Sequence, residues 1–369
     1  MAKPFVNPFV SGQFLELRVD ALVSDGRGLG RHDGVVVLVE DALPGQLVRA
    51  RVAAVRKSLA EAALVEVLER SPDEQEPPCP HAGRCGGCSW QSLAYGRQLA
   101  WKERIVHDAL ERVGKGACPP MLPILPSPSE WGYRNKMEFS FGDEYKDGPL
   151  SLGLHKKGST YDILNTDDCK LVHPDMTKIL ACVREFFLER NASFYKKLQH
   201  VGYLRHLLLR RGVTSGEILV HVVTTTQEEY DLEPLKEQLL ALPLEGKIVG
   251  IMHILNDSLS DVVQSDETKI LYGKDYFYEE LLGLKFKIST FSFFQPNSLA
   301  AEILYSKVRE YVGDTRDKVV FDLYSGTGTI AQLAASVASE VIGVEIVEEA
   351  VKAGDYETAK AELLQYYRN

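Results

Sequence analysis

The sequence predicts a multidomain protein of mixed β and α/β class: a small N-terminal barrel, a central α+β domain, and a partial Rossmann-like unit of parallel α/β type at the C-terminal end. Three observations carry this. Short alternating strands split by Gly/Pro turns fill residues 14–70. The stretch SPDEQEPPCP then breaks the pattern with proline and acid. Near the end, KVVFDLYS, a glycine turn, a helix and EVIGVE follow in strand, helix, strand order. At 369 residues, with 45% hydrophobic and 25% charged, the chain is long enough for several packed domains, expected at 1–70, 71–290 and 291–369.

The barrel strands are expected in FLELRVDALV, GVVVLVE, QLVRARVAAV and AALVEVLER, with SDGRGLGRHDG and ALPGQ dividing them. A helix follows in SLAYGRQLAWKERIVHDALERVG, where Leu99, Val106, Leu110 and Val113 form one apolar stripe. ACPPMLPILPSPSEWG reads as a proline-rich connector. From about 131 to 290 strands return in KMEFSFG, LSLGLHKKG, HLLLRRG, EILVHVVTT, KIVGIMHILN and LKFKISTFSFF, interrupted by helices in PDMTKILACVREFFLER and EEYDLEPLKEQLLAL. The last unit adds helices in SLAAEILYSKVREYV and VEEAVKAGDYETAK around two strands. No internal repeat or low-complexity tract is present.

The start, MAKPFVNPFVSG, lacks the apolar core of a signal peptide, and no stretch approaches the roughly 18 apolar residues of a membrane span, so a cytoplasmic protein without membrane contact is expected. A formal charge of −10 does not itself suggest a polyanion partner. Local runs RARVAAVRK, LHKKG and LRHLLLRRG are either a basic groove on an acidic body or solvated strand faces.

Three of six cysteines fall in CPHAGRCGGCSW, spaced Cys79-x5-Cys85-x2-Cys88, with Cys169 downstream in TDDCKLVH. In a reducing compartment such a cluster points to metal binding or chemistry rather than disulfides. Three thiolates on a glycine-rich loop and one from a distant segment can close a four-ligand site. Zinc accepts the same sulfurs, but structural zinc usually draws on two short paired motifs, which favours an iron–sulfur cluster. His81 is expected beside the ligands, Cys118 in a loop and Cys182 in a helix core.

VVFDLYSGTGTI places Gly326 and Gly328 between a buried strand and a helix, where a ligand can approach the backbone. Glu345 ends the next strand, placed to hold ribose hydroxyls. With Asp322 ahead of it and no third glycine, the turn favours S-adenosylmethionine over a nicotinamide dinucleotide.

Together these residues resemble the iron–sulfur RNA uracil-C5 methyltransferases, which make 5-methyluridine, typically in 23S ribosomal RNA. DGRGLGRHDGVVVLVEDALPGQLV is similar to their TRAM domain, an OB-like RNA-binding barrel, and CPHAGRCGGC with DDCKL to their 4Fe-4S ligands, here Cys79, Cys85, Cys88 and Cys169. YRNKMEFSFG and YLRHLLLRRG resemble central-domain stretches, and FFQPN resembles the segment whose glutamine, here Gln295, touches the methyl donor. The match implies that Tyr324, Thr329 and Glu345 line the donor pocket with Gly326 and Gly328. It also implies cysteine addition to uracil C6, methyl transfer to C5 and proton removal by a base. The Asp-Pro-Pro-Arg-type segment that precedes the family's nucleophile does not occur before Asn369, so no catalytic residue is assigned. The expected partner is RNA and the expected state a monomer, with a non-catalytic RNA-binding iron–sulfur protein as the alternative. His155 and His206 are placed as polar strand residues or RNA contacts. Of Phe291, Phe293 and Phe294, at least two are expected in the core and the remainder to stack a base.

Overall fold

The computed structural model describes residues 7–114, 119–260, 263, 265–346 and the backbone of 361–365. Cys118 and the helix expected over 347–360 lie outside them. The chain forms two compact units, divided after Pro126.

The first unit is built on a closed barrel of β1 (Phe14–Leu22), β2 (Gly28–His32), β3 (Val35–Glu40), β4 (Leu47–Val55) and β5 (Leu59–Glu69), in the order β1-β2-β3-β5-β4. Alternation drives β1, where Leu15, Leu17 and Val19 point inward and Glu16 and Arg18 face out; β3 is apolar throughout its buried part, with Val35, Val37 and Val39 in the barrel core. The sequence reading treats SDGRGLGRHDG as a divider, whereas the structure runs β2 through it. Glycine makes this possible, because a Cβ on Gly30 would sit 2.3 Å from the Arg18 carbonyl oxygen.

Helix α1 (Tyr95–Gly114) follows. Its buried face is not the expected stripe. Trp101 and Ile105 pack against Leu22, Leu43 and Leu93, while Val106 and Leu110 are exposed. The large indole decides which side of the helix faces the core.

The second unit centres on a mixed sheet of seven strands: β6 (Lys136–Asp143), β7 (Leu150–His155), β8 (Ile163–Asn165), β9 (Leu204–Arg211), β10 (Glu217–Thr224), β11 (Lys247–Leu255) and β12 (Glu267–Gly273). Their order is β12-β11-β10-β9-β6-β7-β8. Only β10 and β11 run parallel, joined through helix α3 (Glu233–Leu240); α2 (Pro174–Glu189) lies between β8 and β9. Asp175, buried at the start of α2, accepts the amides of Glu245 and Gly246, each at 2.9 Å, and Arg211 Nε at 3.2 Å. Burial alone would raise its pKa; these partners and His173 reverse that and hold it below the usual carboxylate range.

A hairpin follows, β13 (Tyr276–Leu281) and β14 (Leu284–Ser289), closed by Leu282 and Gly283, both at positive φ. Then come α4 (Ser298–Val312), β15 (Thr315–Asp322), α5 (Thr329–Ala334), β16 (Ala338–Glu345) and β17 (Ala361–Gln365). The last three strands form a parallel sheet in chain order, one strand more than the sequence reading counts. No helix among the described residues is long and apolar enough to cross a membrane.

The run LRHLLLRRG is neither a basic groove nor a solvated face. Arg205 and Arg210 are buried in β9 and turn their guanidinium groups onto carbonyls. Arg205 donates to the oxygens of Asn256 (2.8 Å), Ser258 (2.6 Å) and Ser260 (2.6 Å) and lies over the Tyr195 ring. The Arg49 and Arg56 side chains of RARVAAVRK pair with Glu16, Glu66 and Glu61 on the barrel surface.

Gly30→Ala is expected to destabilise the protein by about 2 kcal/mol through backbone overlap. Gly96→Ala, in open space on α1, should stabilise it by about 0.5 kcal/mol. Urea unfolding of the two variants checks the contrast.

Candidate functional site

The glycine turn lies between β15 and β16, which pair in parallel with Asp322 beside Gly343. Gly326 and Gly328 both take positive φ, at 54° and 77°, and nothing stands within 4 Å of where a Gly326 Cβ would be. The turn is therefore open to an approaching ligand. The Glu345 carboxylate accepts the Gly326 amide at 2.8 Å, and Asp322 Oδ2 accepts the Ala331 amide at 3.1 Å. Asp322 is pushed up in pKa by burial and by the nearby charge of Glu345, against the amides of Ala331 and Tyr324. Two carboxylates thus flank one turn. Ser325 has a buried hydroxyl with no partner among the described residues, Thr329 is buried, and Tyr324 is 93% exposed.

Gln295 comes to the same place through helix α4. Tyr305 on that helix hydrogen-bonds the Gln295 side chain; burial raises its pKa, and the charge of Asp322 pushes the same way. Tyr305 thus stands near both Gln295 and Asp322, a neighbour that sequence reasoning missed. Its only signal is the Ala301–Tyr305 pair spaced four apart on a buried helix face.

The segment before α4 is held by a buried polar relay. Asn135 Nδ2 donates to the Gln295 carbonyl at 2.7 Å and to Ser298 Oγ at 2.9 Å; the Asn135 amide donates to the Pro296 carbonyl at 2.9 Å. Ser298 Oγ donates in turn to Glu279 at 2.8 Å, and Glu279, 1% exposed, also accepts the Val213 and Thr214 amides at 2.7 and 2.9 Å. Asn297 caps α4 by accepting the Ala300 amide. The YRNK and FFQPN stretches are therefore partners, which their sequence separation of about 160 residues conceals.

Residues 290–294 do not continue β14, as LKFKISTFSFF suggests. Arg210 donates to the carbonyls of Ser289 and Ser292, and a turn results. Of the three phenylalanines only Phe294 is buried; Phe291 and Phe293, 73% exposed, face solvent, reversing the expected majority in the core. His206 is buried with Ser140 Oγ at 3.4 Å, so it offers no surface for RNA.

His221, fully buried on β10, donates from Nδ1 to the Leu208 carbonyl at 3.0 Å, so Nε2 accepts from the Thr290 hydroxyl, also at 3.0 Å.

In the first unit the cysteine loop folds tightly. The Ala82 amide donates to the Cys79 carbonyl, the Cys85 amide to the His81 carbonyl, and the Gly87 amide to Cys85 Sγ at 3.4 Å; Gly83 takes positive φ. Trp90 Nε1 donates to the Gly26 carbonyl at 3.0 Å, tying the loop to the barrel. Burial pushes the Cys85 thiol up in pKa, and Cys88 and Cys79 add to it, so the three sulfurs are neighbours. His81 Nε2 is buried without a partner among the described residues. Cys169 belongs to the second unit, buried in the turn after β8, its amide on the Thr166 carbonyl. Cys182 on α2 is pushed up by burial and by Glu185, the opposite of what a nucleophilic thiol needs.

The chain combines a closed five-stranded barrel with a parallel α/β unit that carries an open glycine turn. Residues 8–65 match the TRAM domain. An uncharacterized RNA methyltransferase of Caldanaerobacter subterraneus subsp. tengcongensis is 46% identical over 340 residues, 92% of this chain and 75% of the relative. Another from Clostridium acetobutylicum is 47% identical over 331 residues, 90% and 72% of the two chains. The chain belongs to this family of TRAM-domain RNA methyltransferases. In fold it is similar to the tRNA (uracil-54, C5)-methyltransferase of Pyrococcus abyssi, solved with S-adenosyl-L-homocysteine: TM-score 0.74, 25% identity, covering 96% of this chain and 80% of that one.

Burial drops His221 from 6.5 to about 3, with Arg210 and Lys136 pushing the same way against the Leu208 bond. The unfolded chain binds a proton here below its ordinary pKa while the folded chain does not. Stability from this group is therefore complete above pH 6.5 and declines as pH falls towards 3. Between pH 7 and 5 the loss is about 2 kcal/mol, and urea unfolding of His221→Asn should show a pH dependence smaller by that amount.

Proposed function

We propose that this chain takes part in S-adenosylmethionine-dependent methylation of a uridine C5 in RNA, with 23S ribosomal RNA as substrate. The observation that carries the donor assignment is the pair of carboxylates, Asp322 and Glu345, on either side of an open glycine turn. A dinucleotide pyrophosphate would meet two like charges there, whereas a sulfonium meets opposite ones. Gly326 and Gly328 give backbone access. Glu345, whose carboxylate accepts the Gly326 and Ile346 amides, is the acceptor proposed for the ribose hydroxyls. Gln295, Tyr324 and Thr329 complete the pocket. The donor supplies an electrophilic methyl group, and the chain's residues bind and orient it.

The barrel supplies an RNA surface, and Phe291 and Phe293 are exposed beside Gln295 for a base to stack on. We further propose that Cys79, Cys85, Cys88 and Cys169 ligate a 4Fe-4S cluster. The donor set, three thiols on one glycine-rich loop and one alone far downstream, suits a cluster better than a structural zinc ion, which usually draws on two short paired motifs. The protein is proposed to act as a cytoplasmic monomer.

Purified protein should bind S-adenosylmethionine, and Glu345→Ala should weaken that binding at least tenfold, a loss of about 1.4 kcal/mol, with RNA affinity unchanged. Equal donor affinity in parent and variant would contradict the pocket. Anaerobic preparations should be brown and contain iron and sulfide, lost in Cys85→Ser; zinc in their place would remove the cluster. Transfer of labelled methyl to 23S transcripts but not transfer RNA would support the substrate. Tight RNA binding without transfer would instead favour a non-catalytic member.

A further inference from the structure

We propose that the outward face of the β13–β14 hairpin is a binding face for single-stranded RNA, with Tyr276 and Tyr278 receiving bases and Lys285 and Lys287 the adjoining phosphates. This rests on the RNA reading above and deepens it, since nothing in that reading assigns the hairpin a role.

The alternation of the strands divides the hairpin cleanly. Phe277, Glu279, Leu281, Phe286 and Ile288 turn inward and are buried. Tyr276, Tyr278, Lys285 and Lys287 turn outward. The two tyrosine rings stand 5.5 Å apart, edge to face. Lys285 Nζ lies 4.0 Å from the Tyr278 centroid and Lys287 Nζ 4.4 Å from the Tyr276 centroid, with Lys274 Nζ 4.7 and 5.0 Å from both.

By count the three lysines and three carboxylates around this face cancel, but they are not all paired. Lys274 is paired with Glu217 at 3.0 Å, Glu280 stands opposite Lys285 in the register, and Asp275 lies exposed at the foot of the hairpin. Lys285 and Lys287 form no ion pair among the described residues, on a chain whose formal charge is −10. Ammonium groups resting on half-buried, outward-facing rings are held weakly and can move to phosphates, which frees the rings to stack on bases. Such a ladder tolerates any base sequence, because every base has a π-face. Its position is also apt: Tyr276 pairs with Ser289, two residues before the exposed Phe291, so the face leads towards the segment that carries Gln295.

If the rings and lysines only braced the hairpin, removing them would lower stability and leave RNA binding alone. The full chain is titrated with a short fluorescein-labelled oligouridylate across a range of salt, as parent, as Lys285→Gln/Lys287→Gln and as Tyr276→Leu/Tyr278→Leu. The lysine variant should lower the slope of log K against log salt by about 1.4, two contacts at about 0.7 each. The tyrosine variant should bind at least tenfold more weakly with its slope unchanged. Thermal melting reports folding of each, and the lysine variant carries the test alone if the tyrosine variant is unfolded. Parent-like affinity and slope in both variants would overturn the proposal while leaving the RNA reading intact. Absence of binding by the parent would overturn both.

Discussion

The arrangement of the second unit depends on one constraint: a carboxylate buried at Glu279 must be satisfied, and the groups that satisfy it come from segments far apart in the chain. Two backbone amides from the turn after β9 and the Ser298 hydroxyl converge on it, and Asn135 completes the relay by donating to Ser298 and to the Gln295 carbonyl. An unpaired charge in that position would be far more costly than the relay itself is stabilising. The sheet, the hairpin and the start of α4 are therefore locked in one geometry. The Gln295 carbonyl is held in place as a result.

The same economy governs the cations. Arg205 and Arg210 are buried in a β-strand, yet each finds carbonyl oxygens in irregular segments that would otherwise lack partners. Burial brings Arg210 down to about 10, and the carbonyls it holds are those of the turn leading to Phe291 and Phe293. His221 reaches the same turn from the next strand through Thr290. Two side chains of the central sheet, Arg210 and His221, thus shape the turn that leads to Gln295, while Arg205 secures a separate loop at Asn256–Ser260.

How much of this was legible in the sequence follows from the range of the forces involved. Alternation in FLELRVDALV and the β-branched run GVVVLVE marked the barrel because both signals are local. β2 was not legible, since two glycines in SDGRGLGRHDG read as a turn unless the closeness of the Arg18 carbonyl is known. The stripe expected on α1 failed for a similar reason: the side chosen for burial was set by where Trp101 fits, not by the count of aliphatic residues. At the site, Gly326, Gly328 and Glu345 were readable from spacing across a strand, turn and strand. Tyr305, Asn135, Ser298 and Glu279 were not, because their pairing spans long loops and leaves no periodic trace. The arginines of LRHLLLRRG misled in the opposite sense, looking like surface charge while serving as interior donors.

The central claim is that Asn135 acts on donor binding through the Gln295 segment. A double-mutant cycle on S-adenosylmethionine affinity, with Asn135→Ala, Gln295→Ala and the pair, tests it most directly. The account predicts strong non-additivity, a coupling of about 1 kcal/mol or more, because once the Gln295 side chain is gone its placement no longer matters. Additive losses would show that the relay supports the fold without placing Gln295 on the donor.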